Sequence, residues 1–117
     1  MPPALNQILL AALEATKGSD IRTLDVRGLT MEFDHMIIAT GTSRRQVAAL
    51  AERCMEQARA AGHRPLSTEG WEAGDWVLLD FGVTTVHLMQ PTARAFYDLE
   101  RLWTPPQTAA DPAAAPP

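Results

Sequence analysis

Cysteine, lysine and aromatic residues are scarce in this sequence of 117 residues. Cys54 is the only cysteine, so no disulfide can form within the chain, which is typical of proteins from a reducing compartment. A basic leader with an apolar stretch and a cleavage site is also lacking. The longest apolar run near the N-terminus, Ile8 to Leu13, is far too short to span a bilayer. We therefore expect a cytoplasmic protein with no membrane contact.

Positive charge is in deficit, with 10 basic residues against 14 acidic ones and a formal net charge of −4. Since phosphate neutralisation dominates most nucleic-acid affinity, we expect little direct RNA contact, and a basic protein is the better partner. The length and the 46% hydrophobic share are those of a single domain with one core. Residues 1–103 are predicted to form this domain, whereas the Pro- and Ala-rich residues 104–117 are predicted to be a disordered tail.

Hydrophobic periodicity predicts seven helices and strands in the order α-β-β-α-β-β-α. They are a helix from Leu5 to Lys17 that Gly18 ends, strands at Ile21–Val26 and Met36–Ala39, a helix capped by Ser43 and Gln46 and ended by Gly62, strands at Trp76–Phe81 and Thr84–Met89, and a helix from Pro91 to about Trp103. This order is typical of an α/β fold (α+β mixed) in which helices pack on a single mixed β-sheet.

The last two strands are predicted to form a hairpin with a tight turn at Gly82-Val83. On one face, the turn pairs Phe81 with Thr84, Leu79 with Val86 and Val77 with Leu88. That face is nearly all apolar and is expected to be core. The opposite face carries Trp76, Leu78, Asp80, Thr85, His87 and Met89. Large apolar groups mixed with a carboxylate and an imidazole favour a partner-binding surface. The alternative is that a helix covers this face and Asp80 pairs with His87 or an arginine inside the fold.

The last predicted helix carries further candidates. Phe96, Leu99 and Trp103 form one stripe, which is expected to be core. Tyr97 and Glu100 are candidates for the border of the partner surface. Arg94 and Asp98 lie one turn apart and are expected to form a solvated pair that stabilises the helix slightly.

A second candidate site lies at the start of the middle helix and consists of Thr42, Ser43, Arg44 and Arg45. Free amides at a helix N-terminus, together with two guanidinium groups, suit an anion such as a phosphate or a partner's carboxylate. The alternative is that both arginines extend into solvent or pair with Asp34 or Glu69.

Catalysis and metal binding find little support in the residues. Gly41-Thr42-Ser43 is loosely similar to the Gly-Ser loop of nucleotidyltransferases. Those enzymes need two acidic residues one apart on the next strand to hold metal ions, and neither Asp75 nor Asp80 has such a neighbour. The histidines and Cys54 lack metal-ligand spacing, and Cys54 lies on an apolar stripe where burial is expected. We expect no cofactor, no metal and no enzymatic activity.

Several blocks of the sequence together resemble the bacterial ribosomal silencing factor (Iojap-related) family, in that family's order and spacing. The blocks are Leu24-Asp25-Val26-Arg27, Asp34 to Ser43 (DHMIIATGTS), Glu69-Gly70, Trp76 to Gly82 (WVLLDFG), Val86-His87 and Phe96 to Trp103 (FYDLERLW). The resemblance covers roughly residues 5–103. No single block is specific, but the set is.

This resemblance implies a function. Members of the family bind the fourteenth protein of the large ribosomal subunit, block joining of the small subunit and so lower translation in stationary phase or starvation. The family's fold resembles nucleotidyltransferases but lacks their metal-binding carboxylate pair, and some members form homodimers when free. Two alternatives stay open: a nucleotidyltransferase-like enzyme that uses the Gly41–Arg45 loop, and a homodimeric adaptor that pairs through the hairpin face.

Overall fold

A computed structural model of the protein describes residues 4–103. The predicted disorder of residues 104–117 lies outside this range. The helices are α1 (Leu5–Ala15), α2 (Arg44–Ala60), α3 (Pro91–Tyr97) and α4 (Leu99–Trp103). The strands are β1 (Ser19–Asp25), β2 (His35–Thr40), β3 (Ser67–Glu69), β4 (Trp76–Asp80) and β5 (Thr84–Met89). The prediction of an α/β domain with packed helices is confirmed.

The five strands form one sheet in the order β1-β2-β5-β4-β3. The central pair, β2 and β5, is parallel, and the other neighbours are antiparallel. The single mixed sheet is therefore confirmed. The short strand β3 was not predicted; its last residue, Glu69, pairs with Leu78 of β4.

One face of the sheet carries the larger core. Helices α1 and α2 pack on this face over Ile37, Ala39, Val77, Leu79, Val86 and Leu88. The helices contribute fully buried side chains such as Leu9, Leu13 and Leu50. Cys54 lies in the same cluster as predicted, and burial raises the pKa of its thiol to about 12.

The other face carries a smaller core beneath α3 and α4. Its buried members are Met36, Ile38, Met89, Ala93 and Leu99. Since β2 contributes Ile37 to one core and Ile38 to the other, it is buried on both faces. The helices on this second face are short, and most of the β4 side of the sheet has no helix above it in the described structure.

The hairpin has the predicted register. Leu79 lies opposite Val86 and Val77 opposite Leu88, and the amide of Phe81 donates to the carbonyl of Thr84 across 2.9 Å. Gly82 takes the turn with a φ of 93°, a conformation that side chains with a Cβ rarely adopt. The predicted face assignment within the hairpin is therefore confirmed.

Both ends of α2 are as predicted, whereas the end of α1 is not. Ser43 Oγ accepts the amide of Gln46 at 3.0 Å and Gly62 follows α2 with a φ of 91°, as predicted. After α1, however, the left-handed residue is Lys17 (φ 63°) rather than Gly18. Gly18 instead lies where the chain packs tightly on α2, and a Cβ there would be 3.2 Å from Leu50 Cδ2.

The continuous helix from Pro91 to Trp103 was a wrong prediction. Asp98 adopts a left-handed conformation (φ 47°, ψ 52°) and separates α3 from α4. The break turns Leu99 into the second core while Phe96 stays 78% exposed, so only Leu99 of that pair is core. The same break brings Glu100 beside Arg94, and the two side chains form an ion pair at 3.0 Å.

Candidate functional site

A groove lies on the sheet face that α1 and α2 do not cover. Its floor alternates across the hairpin, with Leu78 opposite His87 and Asp80 opposite Thr85. Side chains of one strand alternate between faces, so the residues predicted for the partner surface do share one side. Trp76, Leu78 and Asp80 are half-buried, which leaves part of each accessible from solution.

Segments far apart in sequence supply the walls of this groove. They are Glu32 and Phe33 from the β1–β2 loop, Leu66 before β3, Gly82 in the hairpin turn and Leu99 from α4. The enclosed volume is about 420 Å³. Leu66 is 75% exposed although it is apolar. Sequence reasoning missed these wall residues, because only the folded chain brings them together. We call this site the β4–β5 groove.

An aromatic cluster borders the groove. The ring centroids of Trp76 and Tyr97 are 4.7 Å apart, and Phe96 meets Tyr97 edge-on at 5.0 Å. Tyr97 is 49% exposed and Phe96 78% exposed. Tyr97 therefore lies beside Trp76 at the edge of the groove, and its part in a partner surface stays a prediction. Phe96 adds exposed apolar surface that the prediction had placed in the core.

His87 lies at the bottom of the groove and is only 6% exposed. The indole Nε1 of Trp76 donates to His87 Nδ1 at 3.1 Å, and His87 Nε2 lies 3.2 Å from Thr85 Oγ1. Burial lowers the pKa of the imidazole from 6.5 to about 4. The ring is thus neutral near neutral pH, with both nitrogens engaged by its own chain.

Charge in the groove is acidic. Among the described residues that line it, the charged side chains are Glu32 and Asp80. Asp80 Oδ1 accepts the amide of Gly82 at 2.8 Å, which holds the carboxylate beside the hairpin turn. The alternative in which Asp80 pairs with His87 inside the fold is not formed, since the contacts of His87 go to Trp76 and Thr85. A cationic group from a partner would find a carboxylate next to an apolar floor.

Two residues predicted for the partner surface are engaged elsewhere. Met89 is fully buried in the second core beneath α3, so its placement on an accessible face is corrected. Glu100 binds Arg94 through both carboxylate oxygens at 3.0 Å and also lies 3.5 Å from Arg22. Its role in this structure is to hold α4.

Arg94 was expected to be a solvated partner of Asp98, and this prediction is wrong. It is 8% exposed and donates to the carbonyl of Asp20 at 2.6 Å and to Thr40 Oγ1 at 2.8 Å, in addition to Glu100. This network connects α3 and α4 to the start of β1 and the end of β2. It therefore fixes the helices that carry Tyr97 and Leu99 to the groove.

The candidate anion site at the start of α2 is occupied by internal contacts. The amide and hydroxyl of Thr42 both donate to Gln46 Oε1, at 2.7 and 2.9 Å. Arg44 donates to the carbonyl of Glu72 at 2.6 Å, rather than to Asp34 or Glu69. Arg45 is exposed. Since one amide and one guanidinium already have partners, the loop of residues 42–45 offers less to an anion than the sequence indicated.

Residues 4–103 offer neither a metal site nor a membrane span. They contain no group of three or more His, Cys, Asp and Glu side chains placed to hold a metal ion. Within the same range, no helix has both the length and the apolar character needed to cross a membrane.

Comparison with known proteins identifies the family. The family described as "Ribosomal silencing factor during starvation" matches residues 2–116. A ribosomal silencing factor of Haemophilus influenzae is 44% identical over 100 residues, covering 86% of this chain and 98% of that protein. A crystal structure of a Chromobacterium violaceum protein superposes with a TM-score of 0.83 at 45% identity, over 85% of this chain and 82% of that one.

A more distant relative of Mus musculus is named "Mitochondrial assembly of ribosomal large subunit protein 1" and is 32% identical over 100 residues, which are 83% of this chain and 44% of that protein. The resemblance found in the sequence blocks is confirmed by the family match and by these relatives. The chain belongs to the family of ribosomal silencing factors.

Proposed function

We propose that this protein represses translation by docking its β4–β5 groove onto the fourteenth protein of the large ribosomal subunit. Its bulk then prevents the small subunit from joining, in the cytoplasm of cells in stationary phase or starvation. The observation that carries the proposal is the half-buried, partly accessible apolar floor of Trp76 and Leu78 next to an acidic rim. Family membership supports the role, and the name of the mouse relative links the wider group to the large subunit.

The composition of the groove suits a protein partner. Leu66 is 75% exposed on one wall and Tyr97 is 49% exposed beside Trp76, so a partner that covers the groove would remove much apolar surface from water. Full burial of one large apolar side chain contributes about 1.5–3 kcal/mol before the costs of association. Ribosomal proteins carry excess positive charge because they pack against RNA, and carboxylates at Glu32 and Asp80 complement such a surface.

Steric exclusion requires no reacting group. The imidazole in the groove has both nitrogens bonded to neighbours, and Cys54 is buried with a raised pKa. The groove therefore needs to supply only affinity and a complementary shape. A large footprint on the subunit then excludes the small subunit by volume, with the helices α1 and α2 forming the bulk on the far side of the sheet.

Sedimentation of purified ribosomal subunits with this protein tests the proposal. We expect the wild type to travel with large subunits and to lower the yield of whole ribosomes when small subunits are added. Leu78→Glu places a charge in the floor of the groove and should weaken co-sedimentation at least tenfold. Ala11→Glu is the matched control, because Ala11 is exposed on α1 on the opposite side of the sheet.

Thermal unfolding of both variants establishes that they are folded. A folded Leu78→Glu variant that binds large subunits as well as the wild type overturns the assigned groove. Light scattering of the free protein measures whether it forms a homodimer. A variant that loses self-association but keeps ribosome binding would show that the groove serves pairing of two copies instead.

A further inference from the structure

We infer that His87 is a positioning residue, which holds the indole ring of Trp76 in its docking orientation through the neutral Nε2–H tautomer fixed by Thr85. The inference rests on the proposed function, because it assigns Trp76 to the partner surface. It gives His87 an indirect role in place of direct contact with the partner. The three side chains form a chain of hydrogen bonds across β4 and β5 at the bottom of the groove.

The tautomer follows from the chemistry of the neighbours. An indole Nε1 can only donate, and it lies 3.1 Å from His87 Nδ1, so Nδ1 must be the accepting nitrogen. A neutral imidazole then carries its proton on Nε2. Nε2 lies 3.2 Å from Thr85 Oγ1, and a hydroxyl oxygen can accept that proton. In the other tautomer, the Nδ1–H of His87 would face the indole N–H of Trp76, and neither group could accept a hydrogen bond.

The surroundings oppose the charged form of the ring. An imidazolium would direct a second N–H at the indole, and His87 is only 6% exposed. The described charged groups that line the same groove are Glu32 and Asp80, and both would favour a cation. Burial outweighs them, since the pKa of His87 is lowered to about 4. The hydrogen-bonded arrangement therefore persists throughout the neutral range.

Trp76 is held from two sides in this arrangement. His87 fixes the indole N–H, and Tyr97 packs on the ring with a centroid distance of 4.7 Å and an interplanar angle of 50°. A side chain ordered before docking loses less rotamer freedom on binding, which strengthens affinity without a new contact. Loss of one of the two restraints should weaken binding by about three- to tenfold, the range that corresponds to one freed side chain.

The low exposure of His87 argues against direct contact as its main contribution. Its neighbour Leu78, which lies opposite it in the hairpin, is more accessible, as is Trp76 itself. A buried histidine that served the core alone would also be satisfied by its own chain. The two roles differ in a measurable way, because only a positioning role ties the protection of the Trp76 indole to ribosome affinity.

Nitrogen NMR of the labelled protein near neutral pH measures the tautomer and the indole directly. We expect His87 to show an unprotonated Nδ1 and a protonated Nε2. The Trp76 indole signal, assigned by its loss in a Trp76→Phe variant, should exchange slowly with solvent. His87→Leu removes the acceptor at similar volume and should speed this exchange at least tenfold. His87→Asn keeps an acceptor near the position of Nδ1 and should restore protection.

Affinity for purified large subunits is measured on the same variants by sedimentation. We expect binding by the His87→Leu variant to fall three- to tenfold and the His87→Asn variant to recover it. Thr85→Val is the second route to the same effect, because it removes the acceptor of the Nε2 proton without touching His87, and it serves if the leucine variant does not fold. It too should speed indole exchange and weaken binding.

The opposite results are equally definite. An Nδ1–H tautomer in the wild type, or an unchanged indole in both the His87→Leu and Thr85→Val variants, overturns the inference. So does an asparagine variant with restored indole protection but weak binding, since His87 would then contact the partner itself. Failure of the wild type to bind large subunits would refute the proposed function, whereas the NMR results would still decide whether His87 fixes Trp76.

Discussion

Mild acid should destabilise this domain through the burial of His87. The folded ring stays neutral until the pH approaches about 4, whereas the histidine of the unfolded chain binds a proton near 6.5. As the pH falls from 6.5 the unfolded state therefore gains a proton that the folded state does not, and folding loses free energy. Above 6.5 both states are neutral and His87 adds no pH dependence.

The size of this loss follows from the two pKa values. A difference from 6.5 to about 4, at about 1.4 kcal/mol per unit, gives about 3 kcal/mol once the pH reaches the lower value. The ring is deeply buried, so solvent screening reduces this figure little. Asp25, whose pKa is lowered to about 2 by hydrogen bonds from Arg27, changes its charge only in stronger acid.

Urea unfolding at a series of pH values across this window measures the effect. The His87→Asn variant is the reference, because asparagine does not titrate and His35 and His63 remain in both proteins. The free energy of unfolding of the wild type should fall by about 3 kcal/mol relative to the variant between the two pKa values. Parallel curves for the two proteins would refute the claim that His87 is buried in its neutral form.

Two further changes test the parts of the fold that hold the groove. Arg94→Met should lower the free energy of unfolding by about 2–3 kcal/mol, because it removes the main partner of the Glu100 carboxylate. In urea unfolding, the double variant with Glu100→Met should recover part of this loss. Strictly additive losses would contradict the pairing. Gly70→Ala should lower the free energy of unfolding by more than about 2 kcal/mol and disturb Trp76, since a Cβ there would overlap the Trp76 carbonyl oxygen. Gly62→Ala is the control: Gly62 has the same φ and nothing within 4 Å, so the loss should be only about 1 kcal/mol. Equal losses of thermal stability would show that the overlap is relieved elsewhere.

Local patterns predicted the elements whose signals lie within a few residues. The hairpin register followed from a two-residue turn and alternating side chains, and the start of α2 followed from Ser43. Strand β3 has no such signal, because its three residues are polar and only Thr68 is half-buried, and pairing with β4 alone defines it. The break at Asp98 was equally hidden, since it depends on Arg94 reaching residues of β1 and β2.

The candidate site could be predicted on its floor but not on its walls. Alternation along β4 and β5 placed Trp76, Leu78 and His87 on one face, and the structure keeps them there. The alternation could not show which residues of that face are buried. His87 and Met89 are buried and Leu78 is not, because α3 and α4 cover only one end of that face. Phe33 and Leu66 reach the groove from loops, and no periodicity in those segments marks them.

The parallel pairing at the centre of the sheet sets the order in which a newly made chain can fold. Strand β2, near the first third of the sequence, rests on β5, which is synthesised after α2 and the whole of β3 and β4. Helices α1 and α2 can meet early and β1 can pair with one edge of β2, yet the other edge of β2 has no partner until β5 has emerged. A nascent chain stalled before Thr84 should therefore remain open to proteases. Completion of β5 should close the larger core, and the smaller core should close once α3 and α4 follow.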